Sequence, residues 1–395
     1  MKEVDRWILP DGIEELLPSD ARQLESYRRR LVDLFQAWGY DYVIPPLVEF
    51  TDSLLTGSGR DISELTFKIN DQFSGKTMGV RADITPQVAR MDAHSLKRDG
   101  VNRLCYAGHV LHARPKWPLS SRSPVQAGVE LFGEAAAEAD LEVVSLLLAS
   151  LETLGLERQY IDLGHVDIFR TLAECGELDP ESEIELFELL QTKQFDAIDA
   201  QLATSVSDAA CRAWLSELAK LNGDRSVLKK ARAVLADAPA RVYECLDQLD
   251  DIATALAERF PRANLYFDLS ELRGYHYQTG LVFGAFMPGV GNAVALGGRY
   301  DRIGEAFGRA RPATGFTIYL SALCRYLHSE QEPGAGIFAP SDSSADFYRA
   351  VSKLRAAGER VVCGFNGQQG PHGYQACDRI LRCKDGAYVI EPIDE

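Results

Sequence analysis

The sequence predicts an α+β protein: an antiparallel sheet with flanking helices, a helical insertion and a small C-terminal α/β domain. Three observations carry this. Strand-like alternation over Val125–Phe132 sits between helical segments. Strand patterns at 264–268, 275–286 and 292–296 follow one another through short, Gly-rich connections. Such connections suit antiparallel neighbours, because parallel pairs need long crossovers. Between these regions, residues 171–260 are rich in Leu and Ala and hold 18 Asp plus Glu against 9 Lys plus Arg. The expected organisation is a core over 1–170 and 261–328, an insertion over 171–260 and a small domain over 329–395.

The elements follow in order. Leu24, Tyr27, Leu31, Phe35 and Trp38 recur at helical spacing and predict an amphipathic helix over 19–38. Ser19 or Asp20 caps it and Gly39 ends it. Residues 40–44 read as strand, stopped by Pro45 and Pro46. A second helix is expected over 86–98, starting near Asp83 or Thr85, then a short strand over 104–107. Within 125–132, Val125, Ala127, Val129 and Leu131 face one way, and Gln126, Gly128 and Glu130 the other. A long apolar helix over 138–154 and a strand over 160–165 follow. After the insertion and its trailing strands, helices are expected over 300–307 and 316–326. Residues 331–336 read as a polar linker containing Pro and Gly.

Composition removes several classes. The chain has 395 residues, enough for two or three domains. At 46% hydrophobic and 25% charged it is ordinary globular protein, not disordered or fibrous. The formal charge of −16 opposes a role whose main work is gripping a phosphate backbone. No apolar run is long enough to span a membrane. The first ten residues carry Lys2, Glu3, Asp5 and Arg6 without an apolar stretch, which excludes a secretory signal. The eight cysteines are dispersed, with no CxxC and no histidine at zinc-finger spacing. Reduced thiols in a cytoplasmic protein are expected, with no metal site and no cofactor.

Gln126 and Glu130 share one face of a strand, which means either solvent exposure or a site. Three further segments weigh toward a site: 80–86 with Arg81, Asp83 and Thr85; 272–277 with Arg273, Gly274, Tyr275, His276 and Tyr277; and 296–301 with Gly297, Gly298 and Arg299. Taken alone, Arg81 and Asp83 form a structural pair at a helix N-terminus or a ligand contact. His276 alternates away from the two tyrosines and reads as structural or exposed. Gly297-Gly298-Arg299 lacks the Lys-Ser/Thr of a P-loop and reads as a tight turn beside a pocket. The basic run Arg103, His109, His112, Arg114, Lys116 and Arg122, with Trp117, is a solvated loop or a surface for phosphate or a partner.

In this order the segments resemble histidyl-tRNA synthetase, a class II aminoacyl-tRNA synthetase. The resemblance spans 5–325. It rests on Asp11-Gly12, Arg-x-Asp-x-Thr at 81–85, Cys105-Tyr106-Ala107-Gly108, the block from Gln126 to Gly133, Arg273-Gly274, and Gly297-Gly298-Arg299-Tyr300-Asp301. It implies a class II sheet and a histidine pocket read by Asp83, Gln126, Glu130 and Arg273, with Tyr275 and Tyr277 as aromatic contacts. The chemistry suits those roles. A carboxylate at Asp83 matches an α-ammonium, Glu130 accepts an imidazole N–H, Gln126 bonds the amino or carboxyl end, and Arg273 forks the α-carboxylate. Where the synthetases hold ATP with two arginines and a glutamate, this chain has Leu111, Ala322 and Ala113. One such preorganised donor is worth about 10²–10³ in rate. Residues 331–395 are shorter than an anticodon-binding domain and carry a net charge of −2, a poor surface for RNA.

A synthetase-like chain that keeps the histidine pocket but loses the ATP groups resembles the regulatory subunits of short-form ATP phosphoribosyltransferase. Phe67-Lys68-Ile69 and the stretches 80–86, 104–108, 162–166 and 273–277 carry this likeness. It implies a non-catalytic, cytoplasmic subunit in the first step of histidine biosynthesis, required by a separate catalytic subunit. It also implies an assembly of four copies of each, class II-like dimers, free L-histidine as feedback effector, and no tRNA. The competing class is an active histidyl-tRNA synthetase-like ATP-dependent enzyme, which a pyrophosphate-exchange assay distinguishes.

Overall fold

A computed structural model describes residues 7–57, 60–117, 120–272, 274–275, 277–327, 335–365, 367–373 and 376–393. The chain divides into two compact units, Met1–Glu15 with Leu24–Tyr326, and Leu16–Gln23 with Leu327–Glu395. Most of the expected 331–336 linker lies outside the described residues.

The larger unit is built on a sheet of nine strands: β1 (Asp41–Tyr42), β2 (Asn102–His109), β3 (Val125–Phe132), β4 (Gln159–His165), β5 (Asn222–Gly223), β6 (Ala263–Asp268), β7 (Leu281–Phe286), β8 (Ala295–Arg299) and β9 (Ala313–Tyr319). Their spatial order is β1-β2-β3-β9-β8-β7-β4-β6-β5. The five central pairings, from β2 across to β4, are antiparallel. β1 with β2, and β4 with β6, are parallel. The second parallel pair explains the acidic helical stretch. A parallel neighbour demands a long crossover, and six helices between Val166 and Arg259 form the connection from β4 to β6. Leu186, Leu190, Leu202, Leu215 and Leu246 are fully buried there.

One sheet face is covered by helices. Helix α1 (Pro18–Ala37) buries Leu24, Tyr27, Leu31 and Phe35, and the Phe35 ring meets Phe316 of β9 edge-on at 6.0 Å. The opposite face carries the site. Helix α2 (Thr85–Arg90) runs on into π-helical turns over Met91–Leu96. Its Val88 and Ala89 pack with Leu104, Tyr106 and Phe132 of β2 and β3. Pro86, just inside the start of α2, needs no N–H there.

Three expectations about element boundaries fail. Residues 300–307 form turns with a single 3₁₀ turn at Glu305–Phe307 rather than a helix. Residues 313–319 are strand β9, so the helix expected from 316 begins at Leu320. The strand expected from 275 begins at Leu281. β9 is buried on both faces, and a buried apolar run is not distinguished from helix by periodicity. Gly297-Gly298-Arg299 likewise lies in strand β8, not in a turn.

In the smaller unit, a four-stranded sheet takes the order 361–363, 336–339, 377–384, 387–392. Helix Ala345–Ala356 packs Phe347 and Val351 against Ile337, Ala339 and Leu381. No described helix is long and apolar enough to cross a membrane.

Candidate functional site

The site is laid out by strand register. Glu130 of β3 stands opposite Gly315 of β9, Gly315 opposite Gly298 of β8, and Gly298 opposite Val282 of β7. Two residues along, Gly128, Thr317, Leu296, Gly284 and Asp162 form a second row. Gln126 faces Tyr319 in a third. In-register neighbours share a face, and all of these residues except Gln126 and Gly128 line one cavity. Glycine keeps the floor open. A Cβ on Gly315 would stand 1.9 Å from Glu130 Oε2 and 2.4 Å from the Val129 carbonyl. A Cβ on Gly128 would meet the Tyr106 hydroxyl at 2.5 Å, so that glycine lets Tyr106 of β2 lean across the strand.

Glu130 is 1% exposed. Its Oε1 accepts from the Thr85 hydroxyl at 2.7 Å and the Tyr106 hydroxyl at 3.2 Å. Tyr106 also bonds Thr317 Oγ1 at 2.7 Å. Asp83 Oδ1 accepts from the Thr85 backbone N–H at 2.9 Å, and its Oδ2 lies 3.5 Å from Gln126 Nε2. Thr85 thus ties the two carboxylates to the start of α2. Burial pushes the Glu130 carboxyl well above its ordinary value; the Thr85 hydroxyl opposes this and the Asp83 charge adds to it. Four buried polar atoms around the cavity have no partner: Glu130 Oε2, Gln126 Oε1, Gln278 Oε1 and the Tyr300 hydroxyl. Buried polar groups are nearly always satisfied by protein or ordered water, so these atoms are open to water or to a ligand. Gln126 and Glu130 are buried, which removes solvent exposure as their explanation.

The cavity measures about 140 Å³ and is lined by Asp83, Thr85, Lys116, Glu130, Asp162, Glu271, Tyr277, Gln278, Tyr300 and Tyr319, among others. That is of the order of the roughly 150 Å³ that admits a benzene ring. Its described charged lining is four carboxylates and one ammonium, which favours a small ligand with cationic groups.

Of the expected site residues, Asp83, Glu130 and Tyr277 line the cavity; Gln126 is not among its lining residues and stands beside Asp83, its Nε2 3.5 Å from Oδ2. Arg273 lies outside the described residues, as does His276. Tyr275 does not line the cavity: its ring stacks on Phe187 at 5.5 Å, meets Phe169 edge-on at 5.3 Å, and its hydroxyl bonds Glu183. The reason is local. Tyr275 and Tyr277 both lie in turns, with Gly274 at φ 74°, so the period-two rule that would align the two tyrosines does not apply.

Sequence reasoning gave no pocket role to Thr85, Tyr106, Lys116, Gln278 or Tyr300. Thr85, Tyr106 and Tyr300 stood inside quoted motifs, and Lys116 in the basic run. The contact of Tyr106 with Glu130 needed the β2–β3 register, which spacing does not reveal. Arg81 does not pair with Asp83; its guanidinium donates to the His109 and Pro45 carbonyls at 2.8 and 2.9 Å. Arg299 is consumed by Asp140 at 3.0 Å and Asp301 at 3.1 Å, so it cradles no phosphate. The basic run is dispersed: Arg103 pairs with Glu142, Arg114 with Glu64, and Arg122 donates to the carbonyls of Asp11 and His112.

Comparison with known proteins follows this geometry. The family model for histidyl-tRNA synthetase matches residues 12–323. The model for the ATP phosphoribosyltransferase subunit HisZ C-terminal domain matches residues 334–391. An ATP phosphoribosyltransferase regulatory subunit of Teredinibacter turnerae is 58% identical, with all of both chains covered. One of Saccharophagus degradans is 55% identical, again over all of both chains. A crystal structure described as an ATP phosphoribosyltransferase regulatory subunit/histidyl-tRNA synthetase from Bacillus halodurans superposes with a TM-score of 0.81 at 26% identity, covering 92% of this chain and 94% of that one. Histidyl-tRNA synthetase from Nostoc shares the fold, with a TM-score of 0.78 at 16% identity, covering 98% and 97%. The class II synthetase-like core, the smaller C-terminal α/β unit and these relatives agree: the chain belongs to the family of ATP phosphoribosyltransferase regulatory subunits.

Proposed function

We propose that this regulatory subunit is the histidine sensor of its complex and performs no amino-acid activation itself. The observation that carries the reading is the cavity on β3, β9 and β8, where buried Glu130 and Gln126 present unpartnered oxygens beside Asp83. Free L-histidine supplies what those groups lack. Its imidazole N–H suits Glu130, and its α-ammonium suits Asp83, with Gln126 adding an amide contact. Feedback inhibition then follows if histidine binds one quaternary state better than another, a coupling typically of about 1–3 kcal/mol.

Adenylation needs fixed cations at the α-phosphate. Leu111, Ala113 and Ala322 supply none. Catalysis therefore belongs to a separate short-form catalytic subunit, in a complex of four copies of each chain with class II-like dimers of this one. The chain works in the cytoplasm without tRNA. The decisive experiment has two arms. Calorimetry of the purified chain with L-histidine should give heat and a rise in melting temperature. Pyrophosphate exchange with histidine and ATP should stay at background. Exchange at synthetase rates, or no binding of histidine, would overturn the reading.

A further inference from the structure

The segment that brings Tyr277 and Gln278 to the cavity is held by the helical crossover. Arg170 stands on helix Val166–Cys175. Its Nη2 donates to the Gln278 carbonyl at 3.1 Å and reaches that of Tyr275 at 3.4 Å. Its Nη1 donates to Asp167 Oδ1 at 2.7 Å. Asp167 is fixed in turn by Arg241 of helix Ala240–Arg259, whose Nη2 donates to Oδ2 at 2.7 Å. A guanidinium presents its donors in a rigid fork, so one side chain spans the carboxylate and the loop carbonyl together. Hydrogen bonds with an ionised partner are the strong ones.

Tyr275 gives the crossover a second hold. The Arg170 guanidinium carbon lies 5.0 Å from the centre of its ring, and the contacts of that ring with Phe169 and Phe187 come from two crossover helices. The far side of the segment belongs to the sheet, where the Thr279 N–H donates to the Arg299 carbonyl of β8 at 2.7 Å. Gln278 sits between the two. Its carbonyl is on Arg170. Its side-chain Oε1 is buried and unpartnered, and a Cβ on Gly298 would stand 2.6 Å from it. One residue thus carries both the grip of the crossover and a polar group of the cavity. We infer that Arg170 is a positioning residue: through the Gln278 carbonyl it sets the cavity side of the segment and couples the helical crossover to effector binding. This rests on the histidine-sensing reading above and deepens it by naming the part of the chain that responds to occupancy.

The test is calorimetry with L-histidine and mass-spectrometric amide exchange, on the full chain and on its Arg170→Met, Arg170→Lys and Asp167→Asn variants. The apparent dissociation constant is the intrinsic one divided by the fraction of molecules that hold the segment in place. If Arg170→Met leaves it in place in about one molecule in ten, L-histidine binds about tenfold more weakly. Exchange at 277–278 in that ligand-free variant quickens by about tenfold or more, while that of β3 stays as it was. Arg170→Lys, which keeps the charge, recovers part of the affinity. Asp167→Asn releases Arg170 without removing it, falls between the parent and Arg170→Met, and carries the test if Arg170→Met does not fold. An arginine that only stabilises the fold would lower the melting temperature and leave both the affinity and the exchange at 277–278 unchanged. That result, or faster exchange throughout the sheet, overturns the inference and leaves the sensing reading standing. If the unsubstituted chain binds no L-histidine, the sensing reading falls, and exchange at 277–278 alone decides whether Arg170 positions the segment.

Discussion

Replacing Glu130 by glutamine should push stability and recognition in opposite directions. The glutamate is 1% exposed, with one oxygen bonded to Thr85 and Tyr106 and the other unpartnered. Burial raises its folded-state pKa well above the ordinary 4.5. The sign follows from linkage. The folded protein holds this proton more tightly than the unfolded chain, so the associated stability is complete below 4.5 and is lost as pH climbs to the raised value. Each unit of separation is worth about 1.4 kcal/mol. Glutamine has the same shape and no such dependence. From pH 4 to pH 8, the stability difference between the two proteins should therefore move in favour of Glu130→Gln, by about 1.4 kcal/mol for every unit of separation. Over the same comparison, L-histidine affinity should fall roughly 10- to 150-fold, because the charged acceptor for the imidazole N–H is gone. Urea denaturation of the ligand-free proteins at several pH values gives the first quantity, and calorimetry the second. Parallel stability–pH curves for parent and variant would refute the burial argument; unchanged histidine affinity would refute the assigned contact.

Three substitutions test the frame around the cavity. Gly315→Ala places a Cβ 1.9 Å from Glu130 Oε2 and 2.4 Å from a backbone carbonyl. It should lower stability by about 1–3 kcal/mol through overpacking and abolish the heat of histidine binding. Arg299→Ala strands Asp140, whose side chain is 0% exposed, and should cost about 3–5 kcal/mol in denaturation; adding Asp140→Asn should recover much of it. Leu215→Ala, in the helical crossover with Leu215 at 0% exposure, should cost about 2–5 kcal/mol. A second, earlier unfolding transition in that variant would show the crossover melting apart from the sheet.

The parts of the molecule legible in the sequence were those where one physical rule decides. Strand β3 announced itself because Val125, Ala127, Val129 and Leu131 alternate with Gln126, Gly128 and Glu130. The acidic stretch after β4 read as helical because Leu, Ala and acidic residues dominate it. Strand β9 was hidden because both its faces are buried, which erases alternation. At the site, Asp83, Gln126 and Glu130 were visible as motif residues. The places of Tyr106 and Lys116 at the cavity were not, because they depend on strand register and on a loop returning to the sheet. Tyr275 misled because a strand was expected where the chain turns.

The proposed sensing role also suggests a route outward from the cavity. The four unpartnered atoms belong to separate parts of the chain: Gln126 and Glu130 to β3, Gln278 to the loop before β7, and Tyr300 to the turn after β8. Leaving one such buried group unsatisfied costs about 1–3 kcal/mol. On the proposed histidine-sensing reading, that range matches a typical allosteric coupling, so a quaternary state that misplaces a single one of them would bind histidine more weakly. The strands are locked by ladder hydrogen bonds on both sides, whereas residues 277–280 lie outside the strands. Histidine should accordingly slow amide hydrogen exchange at 277–280 and at 300–301 more than in the interior of β3, where exchange is already slow. Mass-spectrometric exchange with and without L-histidine measures this directly. Protection confined to β3, with the loop unchanged, would mean that the ligand is read by the sheet alone and that the route to the partner subunit lies elsewhere.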